Sequence, residues 1–351
     1  MSEKPLDMPN LLEESRRARE KSSLEDFDSI SVPASPLFAS LQITHSPDGV
    51  LLFSLVALYI LLSTLHVVGT RFLPRSPYTH IAFQALFSWV IAKAAAKGGW
   101  YTPRKMEQKE WWSITGVAAL FAVTICLPDL LNYFYSLPAN TLYSGLVPIC
   151  TYGISSLIFK EKHPRFTHLI LVAVSIGIVF MDAEFQFYLP LSISNFPYLL
   201  LKVTLAVVFI GLVSLKDIFI NRALDGLLNL HPLEFLCHSA PLVLVSSLLC
   251  GFFIGEFPQR LYSSENTLAL MLEITGNSML GYLNILVLLV LNMVCGPLVV
   301  SVVSGLEQVV LALSTLMVLG SLGGNGMLVT GASMTLLGTV VYLKMLCNRS
   351  E

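Results

Sequence analysis

The sequence predicts an all-α membrane protein, with ten transmembrane helices arranged as an inverted five-plus-five repeat. Three observations carry that expectation. First, of 351 residues 54% are hydrophobic and 13% charged, against the ~25% charged fraction of soluble domains, and mean hydropathy is +0.71. Second, from Val50 onward apolar stretches alternate with brief polar breaks, each stretch about 20 residues long and so able to cross a hydrocarbon core ~30 Å thick. Third, a short motif recurs five stretches apart.

Residues 1–47 are rich in Ser, Glu, Arg and Pro and mix both charge signs without a sustained apolar face, which predicts a disordered, solvent-facing tail. Glu3, Asp7, Glu13 and Glu14 precede any apolar run, unlike the basic start of a signal peptide or the acid-poor start of a transit peptide. The ten-helix domain then covers 48–347, with repeats of about 48–182 and 197–347. Its spans fall at 49–71, 80–98, 112–135, 139–159, 166–182, 197–220, 232–255, 278–296, 299–320 and 326–346. All are expected to be helices, because lipid offers no partner for an unpaired backbone N–H or C=O and the dyad alternation of a membrane barrel is absent. The breaks at Ser136–Asn140 and Cys295–Pro297 are very short, so the spans they join are expected to form antiparallel hairpins.

An even number of spans puts both termini on one side. With the N-terminus in the cytosol, Lys97, Arg104, Lys105, Lys109, Lys160, Lys162, Arg165 and Arg222 fall on cytosolic connections, and the other side holds Arg71, Arg75 and Arg260. The positive-inside rule therefore predicts cytosolic termini.

The internal repeat is Tyr143-Ser144-Gly145-Leu146 in the fourth span and Val303-Ser304-Gly305-Leu306 in the ninth, 160 residues later. Five spans is an odd number, so the halves would enter the membrane in opposite senses, as in many secondary transporters.

Ionisable groups inside the bilayer are expensive and mark cavities, pathways or partners. Glu307, beside Gln308 and one turn past Ser304, can bind a cationic or hydroxyl-rich group, carry a coupling proton, or pair with Lys202 or Lys93. Asp129 shares a helix face with Tyr133, a surface fit to bind sugar hydroxyls or to stack a base. The alternative is a carboxylate capping backbone groups freed by Pro128. Lys202 and Lys93 are cationic groups that can face a cavity or snorkel to the interface. The candidate substrate-binding set is thus Lys93, Asp129, Tyr133, Tyr143, Ser144, Lys202, Ser304, Glu307 and Gln308.

His66 and His238 read as satisfied packing histidines. Trp100, Tyr101, Trp111 and Trp112 read as an interfacial belt. Gly251 and Gly255 form a GxxxG pattern that permits close helix approach, within the monomer or between the copies of a homodimer. The six cysteines form no CxxC pair and read as small packing residues, with neither disulfide nor metal implied. No HExxH, GxSxG or Walker-type motif occurs, so neither enzyme activity nor a cofactor is expected. Gly320–Gly326 lacks the lysine and preceding strand of a phosphate loop and reads as a turn. With 21 basic residues balanced by 23 acidic ones and no aromatic-basic stripe, nucleic acid is excluded as a partner. In the tail, Asp7 with Leu11 and Leu12 fits the acidic dileucine pattern read by sorting adaptors.

Three further segments carry a family likeness. Phe159-Lys160-Glu161-Lys162 is similar to an F-x-E-[KR] junction, Glu184-Phe185-Gln186-Phe187 to an E-x-x-F turn, and Leu215-Lys216-Asp217-Ile218 with Arg222 to a basic L-R-N-V…K segment. In that order, with Gly177 in the fifth span, they resemble the nucleotide-sugar and triose-phosphate translocator branch of the drug/metabolite transporter superfamily. The resemblance covers residues 49–346. It implies a central cavity, alternating access by rocking of helix bundles, a small-molecule substrate and a Golgi or endoplasmic-reticulum membrane, with the dileucine pattern pointing instead to an endolysosomal one. It also implies that Ser144 and the Glu307-Gln308 pair stand where phosphate-exchanging members carry lysine. A dianionic phosphate against Glu307 would be repelled at low dielectric. The expected function is exchange of a nucleotide sugar or related sugar-phosphate-type metabolite. The alternatives are a carrier of a neutral or cationic metabolite that uses Glu307, and a non-transporting membrane adaptor of the same fold.

Overall fold

The computed structural model describes residues 49–72, 77–135, 139–160, 163, 166–181, 196–225, 228–256, 267–319 and 326–347. The described residues form ten helices and no strand: α1 Gly49–Phe72, α2 Pro77–Lys97, α3 Gln108–Tyr135, α4 Ala139–Leu157, α5 Thr167–Met181, α6 Phe196–Asp225, α7 Pro232–Ile254, α8 Thr267–Cys295, α9 Pro297–Leu319 and α10 Gly326–Cys347. Six of these, α1, α3, α6, α7, α8 and α10, are long and apolar enough to cross a membrane, while α4, α5 and α9 contribute shorter apolar stretches. The tail with Asp7, Leu11 and Leu12, the Glu184–Phe187 segment and the 320–325 turn lie outside the described residues.

Proline places several helix starts. Pro77, Pro232 and Pro297 each open a helix, where a missing N–H costs nothing and φ is already helical. Between α8 and α9 the chain turns at Gly296, whose φ of 85° is one that residues with a Cβ rarely adopt. Gly255 (φ 78°) ends α7 in the same conformation, its N–H returning to Gly251 and Phe252 carbonyls. Gly255 is thus a C-cap, while Gly251 is buried inside the chain, in keeping with close approach within the monomer.

Two boundaries move. Helix α8 begins at Thr267 rather than 278, because Glu273, Thr275 and Asn277 depress hydropathy without disturbing i→i−4 bonding. Helix α6 runs on to Asp225 through the Lys216–Arg222 segment.

One core joins α2, α3, α6, α7 and α8 around Phe121, Phe235, Leu236 and Leu289. A second joins α1, α5, α8, α9 and α10 around Leu52, Leu171, Leu291, Val299 and Val302. The outer faces carry apolar side chains such as Leu61, Val207, Phe253 and Leu337, the arrangement expected where the surroundings are lipid.

The principal packed pairs are α5 with α10, α2 with α7, α3 with α7, α1 with α8, α4 with α6, α4 with α5, α2 with α8 and α4 with α9. Contact between α5 and α10 is unusually close. A Cβ on Gly177 would lie 2.8 Å from the Gly331 carbonyl oxygen, and one on Gly338 2.6 Å from Val174 Cγ2. Small residues allow that approach and dispersion then holds the pair.

The aromatic belt is partly corrected. Trp100, Trp111 and Trp112 are exposed, but Tyr101 is buried. Its hydroxyl donates to the Ala92 carbonyl at 3.1 Å and its ring stacks on His231 at 5.2 Å.

Candidate functional site

Helix α1 carries Tyr59, Ser63 and His66 at a spacing of four and then three, which puts all three on one face. Tyr59 and Ser63 reach α9, and His66 reaches α8. The Tyr59 hydroxyl donates to Glu307 Oε2 at 2.6 Å, and Ser63 Oγ donates to Glu307 Oε1, so both oxygens of this α9 carboxyl group are held by α1. Ser304, one turn before Glu307, also faces the Tyr59 hydroxyl while donating to the Val300 carbonyl at 2.9 Å. Gln308 is half-buried beside Glu307.

These partners overturn the pairing of Glu307 with Lys93. The Lys93 ammonium lies 5.8 Å from the Trp89 ring centre, the cation–π arrangement of a partly exposed lysine. Lys202 lies within α6, and Tyr133, Tyr143 and Ser144 within α3 and α4, but their side chains are outside the described residues.

Asp217 of α6 is near enough to Tyr59 to act on it electrostatically, and is itself paired with Lys216 at 2.8 Å. Asn292 Nδ2 of α8 donates to the Asp217 carbonyl at 2.9 Å, and Asn221 Nδ2 returns the bond to the Asn292 carbonyl at 2.7 Å. These bonds tie α6 to α8, although Asn292 Oδ1 is buried without a hydrogen-bond partner.

Toward the end of the bundle where α1 finishes and α2 begins, His66 meets α8 and α2. His66 Nδ1 lies 3.2 Å from the Asn277 carbonyl oxygen. His80 of α2 lies 3.3 Å from Asn277 Nδ2 through Nε2 and 3.3 Å from Ser278 Oγ through Nδ1. The two imidazole centroids are 5.1 Å apart. His66 is thus a satisfied histidine, as expected, though within a polar cluster.

Asp129 belongs elsewhere. Its neighbours include Tyr78 and Glu256, at the start of α2 and beyond the end of α7. Glu256 accepts from the Thr79 N–H at 2.9 Å and hydroxyl at 2.8 Å, and from the Tyr78 N–H at 3.3 Å. A carboxylate from another helix thereby caps α2 and meets the positive end of its dipole. Of the sequence-derived set, Ser304 and Glu307 meet at the Tyr59 hydroxyl, whereas Asp129 and Lys93 have other neighbours.

A narrow crevice opens between α2, α3, α7 and α8. Its walls are apolar except for Gln84, Ser88 and Ser239, and Gln84 also borders Gly281 next to His66. It carries no charged side chain.

Sequence reasoning missed Tyr59, Ser63, His80 and Asn277. For the first two a signal existed, since Tyr59, Ser63 and His66 share one face of a largely apolar helix and so mark a polar seam. His80 and Asn277 gave none, because a single polar residue near a helix start looks interfacial.

No family model matches the chain, and no curated protein matches it. Among solved structures, one crystal structure, described only as a protein, is similar over 85% of this chain and 97% of that chain, with a TM-score of 0.57 at 16% identity. At that identity the likeness is one of fold alone.

Proposed function

We propose that this chain is a secondary transporter that moves a polar metabolite across an endomembrane by alternating access. The observation that carries the reading is the pairing of helices. When the chain is divided after α5 and α1 is matched to α6, α2 to α7 and so on, α3 with α7 corresponds to α8 with α2. Likewise α1 with α8 corresponds to α6 with α3, α4 with α6 to α9 with α1, and α4 with α5 to α9 with α10, and all of these pairs are in contact. Such a pattern supports an inverted five-plus-five repeat of ten spans, in which the crevice between α2, α3, α7 and α8 lies between symmetry-related pairs. The basic residues support cytosolic termini.

Charge bears on the substrate class. The resemblance favours exchange of a nucleotide sugar or sugar phosphate, but Glu307 presents a carboxyl group held by two hydroxyls, and the crevice is uncharged. That favours a neutral or cationic polar metabolite over a dianion. Uptake into proteoliposomes of a panel of nucleotide sugars, sugar phosphates and organic cations tests both. Glu307→Gln is expected to abolish cation uptake and to spare or improve anion uptake. Nucleotide-sugar exchange that requires the Glu307 carboxylate would overturn the charge argument.

A further inference from the structure

We propose that the His66–His80 pair, together with the Tyr59–Ser63–Glu307 cluster one turn away on α1, is a proton-binding path, so that the carrier is driven by a proton. The inference deepens the transporter reading by naming its coupling ion.

With the Asn277 amide turned as it is in this structure, the hydrogen bonds imply one protonation pattern. The Asn277 carbonyl can only accept, so His66 carries its hydrogen on Nδ1. The amide Nδ2 of Asn277 can only donate, so His80 Nε2 accepts and its hydrogen lies on Nδ1, directed at Ser278 Oγ. His80 is therefore neutral in this geometry. Asn277 Oδ1 has no hydrogen-bond partner although it is buried, and a buried unpaired acceptor is costly.

Protonation of His80 at Nε2 gives Oδ1 a donor, with Nδ2 turned to the place Oδ1 leaves beside Gly69. Rotation of the Asn277 amide about its Cβ–Cγ bond exchanges Nδ2 for Oδ1, so the new Nε2–H donates to Oδ1. The side chain that accepts the proton and the side chain that senses it are thus in direct contact. The absence of a Cβ on Gly69, whose Cα faces this amide, leaves the space for Asn277 there.

Few other charges face the pair. On α1, Ser63 and Tyr59 lead to Glu307 of α9. Glu256 meets α2 at Thr79, with Tyr78 turned to the Cys126 carbonyl and Asp129 of α3 beside it. On α8, Glu273 lies one turn before Asn277 and is exposed. Each imidazole is thus the nearest titratable neighbour of the other, and two cations 5.1 Å apart repel. One proton at a time is the expected occupancy, with Glu307 as the acceptor on the far side of Ser63. Gln84 connects this polar track to the crevice, so a proton on the pair and a solute in the crevice act on the same α2 surface.

The experiment follows the histidine rings directly in the full chain. With ¹⁵N-labelled histidine, ring nitrogens are monitored between about pH 8 and about pH 5 in the wild type, His66→Gln, His80→Gln and Asn277→Asp. The wild-type pair is expected to titrate in two steps separated by about one pH unit or more. His80→Gln is expected to merge the His66 curve into one step, and Asn277→Asp to raise the His80 step by about one unit. Asn277→Asp carries the test if His80→Gln aggregates. A His66 curve unmoved by His80→Gln, or rings that take up no proton in this range, overturns the proposal.

A second arm uses the uptake panel under an imposed pH gradient. A carried compound is expected to accumulate up to about tenfold per pH unit in wild type, and His80→Gln to abolish that response. Uptake insensitive to the gradient overturns proton coupling. If no compound is carried, the transporter reading fails, and the ring titration still decides the proton site.

Discussion

Gly145 and Gly305, the two glycines of the repeated Ser-Gly-Leu motif, press on the same side chain, Ile178 of α5. A Cβ on Gly145 would lie 3.2 Å from Ile178 Cγ2, and one on Gly305 2.6 Å from Ile178 Cδ1. The motif therefore brings α4 and α9 together on α5. Gly305→Ala is expected to cost about 1–3 kcal/mol, as overpacking does in closely filled cores, and Gly145→Ala less. Thermal unfolding in detergent measures both, and Ile178→Val, which removes the Cδ1 methyl, should recover most of the Gly305→Ala loss.

Removal of the Tyr59 hydroxyl leaves Glu307 Oε2 without its donor. Tyr59→Phe is expected to destabilise the α1–α9 contact by about 1–3 kcal/mol, with a smaller loss in Tyr59→Phe/Glu307→Gln, because the second change removes the charge that needed the bond. A double-mutant cycle of unfolding midpoints reads the coupling, and additive losses would show that the bond contributes nothing.

Capping of α2 by Glu256 predicts a local effect. Glu256→Ala is expected to cost about 1 kcal/mol, the usual worth of a helix cap, and to speed hydrogen exchange at Tyr78 and Thr79 ahead of the rest of α2. Uniform protection across α2 in the variant would remove the capping role.

His231 gives a pH dependence. It caps α7 through Nδ1, which accepts from the Leu233 N–H at 3.2 Å, and burial pushes its imidazole down to about 4 from 6.5. The unfolded chain binds this proton near pH 6.5 and the folded chain near pH 4, so stability is full above pH 6.5 and falls as pH drops toward 4. His231→Asn keeps a capping side chain and removes the titration. Its unfolding midpoint is expected to be flatter than wild type across that window.

The helices were legible because hydropathy and proline position are local. A run such as Gly49–Phe72 must be helical in lipid, and Pro77, Pro232 and Pro297 fit helix starts. The start of α8 was not legible. Glu273 and Asn277 look like interface in a hydropathy window, and their place in a continuous helix depends on what they face.

The site divided in the same way. Glu307 stood out by itself, since a carboxyl group amid apolar residues needs a reason wherever it lies. Its partners could not be read from sequence, because Tyr59 and Ser63 are more than 240 residues away and the lysines were equally plausible by charge. Sequence by itself determined the membrane character, the helix order and the scarcity of interior charge, all consequences of the solvent in which the chain must fold. Only the tertiary structure decided that Glu307 is held by hydroxyls, that Asp129 sits apart beside Tyr78, and that two histidines meet over Asn277. Those choices rest on which helix faces pack together, and packing is a property of the assembled bundle.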